Sequence, residues 1–182
     1  MRGVRGTDAI MVAMRWLTRV AGLAAAGLLA AGCTSITQPT LERTTRGPNA
    51  EEFFIAQSVA TNGRPPSFDE KRVWQDQMDE KVFKYLREHP ELESTSRYTE
   101  FRFWRQVAPG STPGEVKVLL GEPREQTIDP ALMGALGEQH WVAMRATVKE
   151  AWVYPLGWVV YFDDTGVVEM LRKVSPLDVH DE

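Results

Sequence analysis

Trp158-Val159-Val160-Tyr161-Phe162-Asp163-Asp164-Thr165-Gly166-Val167-Val168-Glu169-Met170-Leu171-Arg172-Lys173-Val174 reads as two strands and the turn between them. β-Branched and aromatic residues fill both runs, and Asp-Asp-Thr-Gly supplies the residues that fold a chain back on itself. Upstream, Ala151 to Tyr154 is a third run of the same kind, separated from Trp158 only by Pro155-Leu156-Gly157. Connections this short pair strands antiparallel, because a parallel crossover needs a dozen or more residues. The sequence therefore predicts a three-stranded antiparallel meander. Alternation along Trp158 to Phe162 puts Trp158, Val160 and Phe162 on one face and Val159 with Tyr161 on the other. Both faces are apolar, so a single helical layer cannot satisfy the sheet. The second face needs cover from the N-terminal helices, which is the favoured arrangement, or from a partner. Tyr154, Trp158, Val159 and Tyr161 are accordingly the candidate protein-binding surface.

The residues ahead of the meander carry helical signals. Asn49 can cap a helix that opens with Glu51 and Glu52, and Gly63 with Pro65-Pro66 ends it. Ser67-Phe68-Asp69-Glu70 is a capping box, followed by Trp74, Met78, Val82 and Tyr85 at helical spacing until Pro90. Tyr98, Phe101, Trp104 and Val107 keep a three-residue step, which predicts a third helix between Ser94 and Val107. These aromatics read as core, not as a cofactor box. Residues 124–149 are expected to form a loop with one strand near Trp141 to Val148.

Gly110-Ser111-Thr112-Pro113-Gly114-Glu115-Val116-Lys117-Val118-Leu119-Leu120-Gly121-Glu122-Pro123 specifies a two-turn helix at both ends. Thr112 is the cap, Pro113 takes the first helical position, and Glu115 completes a capping box. Val116, Leu119 and Leu120 form the apolar stripe, Gly121 permits the terminating turn, and Pro123 forbids continuation. Followed by Trp152-Val153-Tyr154 and by Phe162-Asp163-Asp164-Thr165-Gly166, this run resembles the SmpA/OmlA (BamE-like) family of small outer-membrane lipoproteins. The resemblance covers residues 106 to 174. It implies two helices packed on a three-stranded antiparallel sheet, and a binding accessory that supports the β-barrel assembly machinery. Two features depart from the family pattern: about sixty residues of helical sequence precede the motif, and the Trp141 to Lys149 insert delays the Trp-x-Tyr strand.

The N-terminus carries an independent signal. Arg15 and Arg19 precede an apolar segment, Val20 to Gly32, which is shorter than the roughly 20 residues of a membrane-spanning helix. It ends in Leu29-Ala30-Ala31-Gly32-Cys33, and Cys33 is the only cysteine of the 182-residue chain. The arrangement resembles the lipobox of bacterial lipoproteins, in which cleavage before the cysteine leaves it acylated as the mature N-terminus. Removal of residues 1–32 takes away four arginines and one aspartate, which leaves 150 residues, 17 basic and 24 acidic, and a formal charge of −7. That sign disfavours nucleic acid as a partner.

The expected organisation is thus a signal peptide over 1–32, a lipidated flexible tether over 33–48, a helical extension over 49–107, the SmpA/OmlA-like domain over 108–176 and a tail over 177–182. The fold class is α+β, helices on a three-stranded antiparallel sheet with an additional N-terminal helical segment. With Cys33 acylated no thiol remains for a disulfide or a zinc site, and His89, His140 and His180 are far apart, so no cofactor or metal is expected. No nucleophile elbow or phosphate-binding loop is present, and Asp163-Asp164 reads as a turn former and not as an acid–base pair. The expected function is that of a non-catalytic, periplasm-facing lipoprotein anchored in the outer membrane through Cys33. Its partners are envelope proteins, with the barrel-assembly machinery implied by the resemblance. The alternative is a periplasmic or cell-wall-associated lipoprotein that binds a ligand.

Overall fold

The computed structural model describes residues 39–174, so Cys33, the signal segment and the tail over 177–182 lie outside the described residues. A five-stranded antiparallel sheet separates two helical layers. Its strands are β1 (Thr40–Arg43), β2 (Glu125–Thr127), β3 (Glu150–Val153), β4 (Trp158–Phe162) and β5 (Val167–Val174), in the spatial order β1-β5-β4-β3-β2. The helices are α1 (Ala50–Asn62), α2 (Phe68–Glu88), α3 (Pro113–Leu120), α4 (Pro130–Gly137) and α5 (Trp141–Met144). The class is α+β as expected and the β3-β4-β5 meander is present, but the sheet has five strands where three were expected.

The two added strands are edges. Thr40–Arg43, expected to be tether, instead pairs with the end of β5, Thr40 opposite Val174 and Arg43 opposite Leu171. Leu41 is buried and the guanidinium of Arg43 pairs with the carboxylate of Glu169. β5 offers a row of free backbone donors and acceptors, and a segment with one apolar residue suffices to occupy them. Gly47 and Pro48 are also buried, so residues 40–48 belong to the folded body and not to a flexible tether. On the other side, Glu125 to Thr127 pairs with Val153 to Ala151.

The meander contains one irregularity that sets its faces. Tyr161 opposes Glu169, whereas Phe162 opposes Val167, so β5 carries one extra residue at this point. The bulge lets Val167 and Met170, three positions apart, join the same core as Trp158, Val160 and Phe162. That face is covered by Met78, Val82 and Leu86 of α2 and by Val116 and Leu119 of α3. The opposite face, with Val159, Tyr161, Leu171 and Leu41, packs against Met133 of α4, Met144 of α5 and Val148. Both faces are therefore covered within the chain. The second cover comes from residues 128–148, not from the N-terminal helices.

Helix ends follow the capping logic. Asn49 accepts from the Glu51 N–H at 2.8 Å, and Gly63 closes α1 at φ 68°. Ser67 and Glu70 form the reciprocal capping box of α2. The third helix expected over Ser94 to Val107 is replaced by a 3-10 turn at Pro90–Ser94 and a π turn at Glu100–Trp104, closed by Arg105 at φ 48°. The three-residue step does not match the 3.6-residue period of an α-helix, and here it leaves Phe101 buried but Trp104 exposed. The strand expected near Trp141 to Val148 is instead helix α5 and a turn.

Gly47 lies where β1 leads into α1 and has no room for a side chain: a Cβ would meet Met170 Sδ and the Val107 carbonyl oxygen. Gly47→Ala is expected to lower stability by about 1–3 kcal/mol in urea unfolding. Glu70 gives a second expectation. Arg64, at 2.8 Å, and the Ser67 cap hold its carboxyl at about 2, below its ordinary 4.5. A depressed folded-state value means that its stabilising contribution is complete above about pH 4.5 and is lost as the pH falls towards 2. Glu70→Gln should flatten that segment of the stability–pH curve.

Candidate functional site

Tyr154, Trp158, Val159 and Tyr161, the surface expected to meet a partner, are all buried, none more than 6% exposed. Intramolecular packing explains each. Phe53 of α1 meets Tyr154 edge-on at 6.0 Å, and the Tyr154 hydroxyl donates to the Gly121 carbonyl at 3.1 Å. Tyr161 donates to the Met133 carbonyl of α4 at 3.0 Å. Burial pushes both phenols well above their ordinary range, so both remain neutral donors. Trp158 and Val159 face the two opposite cores. These four residues hold the layers together and are not an accessible interface.

An accessible concave surface lies on the helical layer. Residues of α1, α2 and α3 line a groove of about 470 Å³ with Phe53, Phe54, Trp74 and Tyr85 among its walls. Phe54 and Trp74 stack at 4.9 Å with their planes 10° apart, which joins α1 to α2. Lys81, Lys84 and Lys117 rim the same groove. Lys117 reaches Glu122 at 2.8 Å and sits 5.3 Å from the Trp152 ring. The helical period places Trp74, Met78, Lys81 and Tyr85 on one stripe of α2, so the juxtaposition of aromatic and ammonium groups follows from spacing. The sequence pattern takes Trp74 and Tyr85 as core and sets Lys84 with Asp76, Glu80 and Arg87 on the solvated side of the helix.

A polar hollow of about 400 Å³ adjoins the other side of Tyr85. Glu115 at the start of α3 is buried, and Arg97 grips it with Nε at 3.0 Å from Oε2 and Nη2 at 3.2 Å from Oε1. Thr112 caps α3 by accepting from the Glu115 N–H at 3.3 Å, and its hydroxyl lies 3.1 Å from Glu115 Oε1 and 3.2 Å from the Tyr85 hydroxyl. The cap is as expected, but the Glu115 carboxylate turns to Arg97 and not back to the cap backbone. His89 stacks against Tyr85 at 4.2 Å and its Nδ1 lies 3.1 Å from Glu91. With both Glu115 oxygens engaged, the cluster docks α3 on α2.

Asp163 accepts from the N–H groups of Thr165 and Gly166 at 2.7 and 3.0 Å and from the Thr165 hydroxyl at 2.6 Å. These bonds hold its carboxyl below the usual carboxylate range and make it the turn former that its sequence context suggested. Among the described residues no three His, Cys, Asp or Glu side chains cluster as metal ligands, and no helix is long and apolar enough to cross a membrane. No family model, curated protein or solved structure matches this chain.

Removing one partner of the buried pair leaves an uncompensated charge. Arg97→Met is expected to destabilise the fold by about 3 kcal/mol, at the lower end of the range for buried pairs because Arg97 is partly exposed. The double variant Arg97→Met/Glu115→Leu should recover much of that loss in urea unfolding.

Proposed function

We propose that the protein is a lipid-anchored, non-catalytic binding accessory of the bacterial outer membrane, acylated at Cys33 and facing the periplasm. The lipobox-like run before Cys33 supports the anchor, and the order of motifs from Gly110 to Gly166 supports kinship with the SmpA/OmlA (BamE-like) lipoproteins. A role in outer-membrane protein assembly or envelope integrity follows from that kinship.

The observation that carries the binding role is the groove of α1, α2 and α3, an aromatic floor edged by Lys81 and Lys84, with Lys117 held by Glu122, and with Glu88 also in the wall. Stacked rings offer apolar area at little conformational cost, and ammonium groups beside them select carboxylates. The fitting occupant is an acidic segment of an envelope protein that brings an aromatic or aliphatic anchor. The volume also lies in the range of small-ligand sites, about 300–1,000 Å³, which favours a ligand-binding lipoprotein as the second reading.

Cys33→Ala is expected to release the protein from the membrane fraction under a high-salt wash, and intact-mass analysis of the native chain should find acyl groups on Cys33. Retention of the variant, or a bare thiol, overturns the anchor. For the groove, Lys81→Glu/Lys84→Glu should abolish crosslinked recovery of barrel-assembly components while leaving membrane retention unchanged. Recovery of cell-wall proteins alone, from the parent chain, selects the second reading.

A further inference from the structure

The α4–α5 hairpin covers the second sheet face, yet its outer side is unlike that of an ordinary covering helix. From Pro130 to Gly137 α4 contains no polar side chain. It turns Met133 and Gly137 inwards and leaves Ala131, Leu132 and Ala135 exposed. Ile128 and Val142 extend the apolar exposure on either side: Ile128 is 75%, Leu132 49% and Val142 71% accessible. A helix on a protein surface in water normally presents polar residues outwards, and one apolar all round expects a nonpolar neighbour on both sides.

The chain's connectivity points to that neighbour. The corner between α4 and α5 is bonded to β1, where Gln139 Nε2 and His140 Nε2 lie 3.4 and 3.1 Å from the Leu41 carbonyl oxygen. Only six residues, Thr34 to Pro39, separate Cys33 from Thr40. Fully extended, the seven steps from Cys33 to Thr40 span at most about 25 Å. An acyl group on Cys33 would therefore keep Thr40, the start of the strand to which the hairpin corner is bonded, within about 25 Å of the bilayer surface. Charge favours this side as well. Residues 126–149 carry two acids, Asp129 and Glu138, balanced by Arg145 and Lys149, whereas residues 50–100 carry eleven acids against seven basic residues.

We infer that the outer face of the α4–α5 hairpin is a bilayer-docking surface, on which Ile128, Leu132 and Val142 enter the headgroup–acyl boundary while the lysine-rimmed groove on the opposite layer stays open to the periplasm. The inference rests on the proposed acylation of Cys33. Interfacial docking of this kind draws on buried apolar area and does not require anionic lipid.

The test places a nitrobenzoxadiazole label on one introduced cysteine at a time, Leu132→Cys, Val142→Cys, Asp76→Cys or Phe103→Cys, in the mature acylated chain reconstituted into phosphatidylcholine vesicles. All four positions are exposed, so the fold should tolerate the changes. Labels at 132 and 142 are expected to shift to the blue and to be quenched by spin-labelled acyl chains, and labels at 76 and 103 are not. Adding Leu132→Glu should return the label at 142 to the emission seen in water. A chain that floats with the vesicles while all four labels report water overturns the docking surface and leaves the anchor intact. Insertion at 103 in place of 132 and 142 overturns it too. A chain that does not float refutes the anchor, and the docking surface falls with it. A blue shift at 132 and 142 without vesicles, in a Cys33→Ala chain of doubled sedimentation mass, assigns the face to a second copy and overturns the inference.

Discussion

β4 is apolar on both faces and lies at the centre of the sheet, and this one constraint organises the molecule. Burying Val159, Tyr161 and Leu171 contributes about 1.5–3 kcal/mol each. Leaving that face bare would therefore forfeit an amount comparable to the whole net stability of a domain, about 5–15 kcal/mol. Neither helical layer is optional. The α1–α2–α3 layer answers Trp158, Val160 and Phe162, and the short α4–α5 hairpin answers Val159 and Tyr161. The tyrosines add direction to this packing. Tyr154 and Tyr161 reach into opposite layers and donate to the backbone at Gly121 and Met133, so each layer is fixed in position as well as buried.

Much of this was legible because the decisive features are local. Asn49, Ser67 with Glu70, and Thr112 cap the helices at the positions that their side-chain chemistry dictates, and the meander follows from short turns between β-branched runs. The failures lie where structure depends on something distant. β1 has one apolar residue and no periodicity; it is a strand because β5 has a free edge for it. α4 has a good cap in Asp129 and a proline at its first position, but it is apolar on every side and contains two glycines, so no amphipathic signal marks it. The π turn at Glu100–Trp104 is held by remote partners, with the Asn49 side chain donating to the Trp104 carbonyl at 2.7 Å and Arg102 and Arg105 reaching Asp79 at 3.5 and 2.9 Å.

The candidate site was less legible than the fold for a related reason. Alternation correctly identified β4 as apolar on both faces, and the need for two covers followed; it could not say which segment supplies the second cover. Once α4 and α5 supply it, Tyr154, Trp158, Val159 and Tyr161 are spent on packing, and the proposed binding role falls to side chains that the pattern ranked as ordinary. Trp74 and Tyr85 are only partly buried because α1 and α3 do not close over α2, and Lys81 and Lys84 stand at the resulting opening. Groove residues of this kind are defined by the gap between elements, which a one-dimensional pattern does not contain.

The two helical layers also differ in a way that bears on orientation. The layer of α1 and α2 is rich in acids and carries its lysines at a groove, whereas the α4–α5 hairpin is nearly free of charge and exposes aliphatic side chains. A protein that served only to fold would gain by making both outer surfaces polar, because exposed Ile128, Leu132 and Val142 raise the tendency to associate in water without stabilising the core. An anchored protein works under a different constraint. In the proposed Cys33-acylated form the chain enters the folded body through β1. The layer bonded to β1 can then be apolar without being exposed to water, while the opposite layer must remain soluble and selective. The proposed anchoring and docking together would account for this asymmetry between the layers.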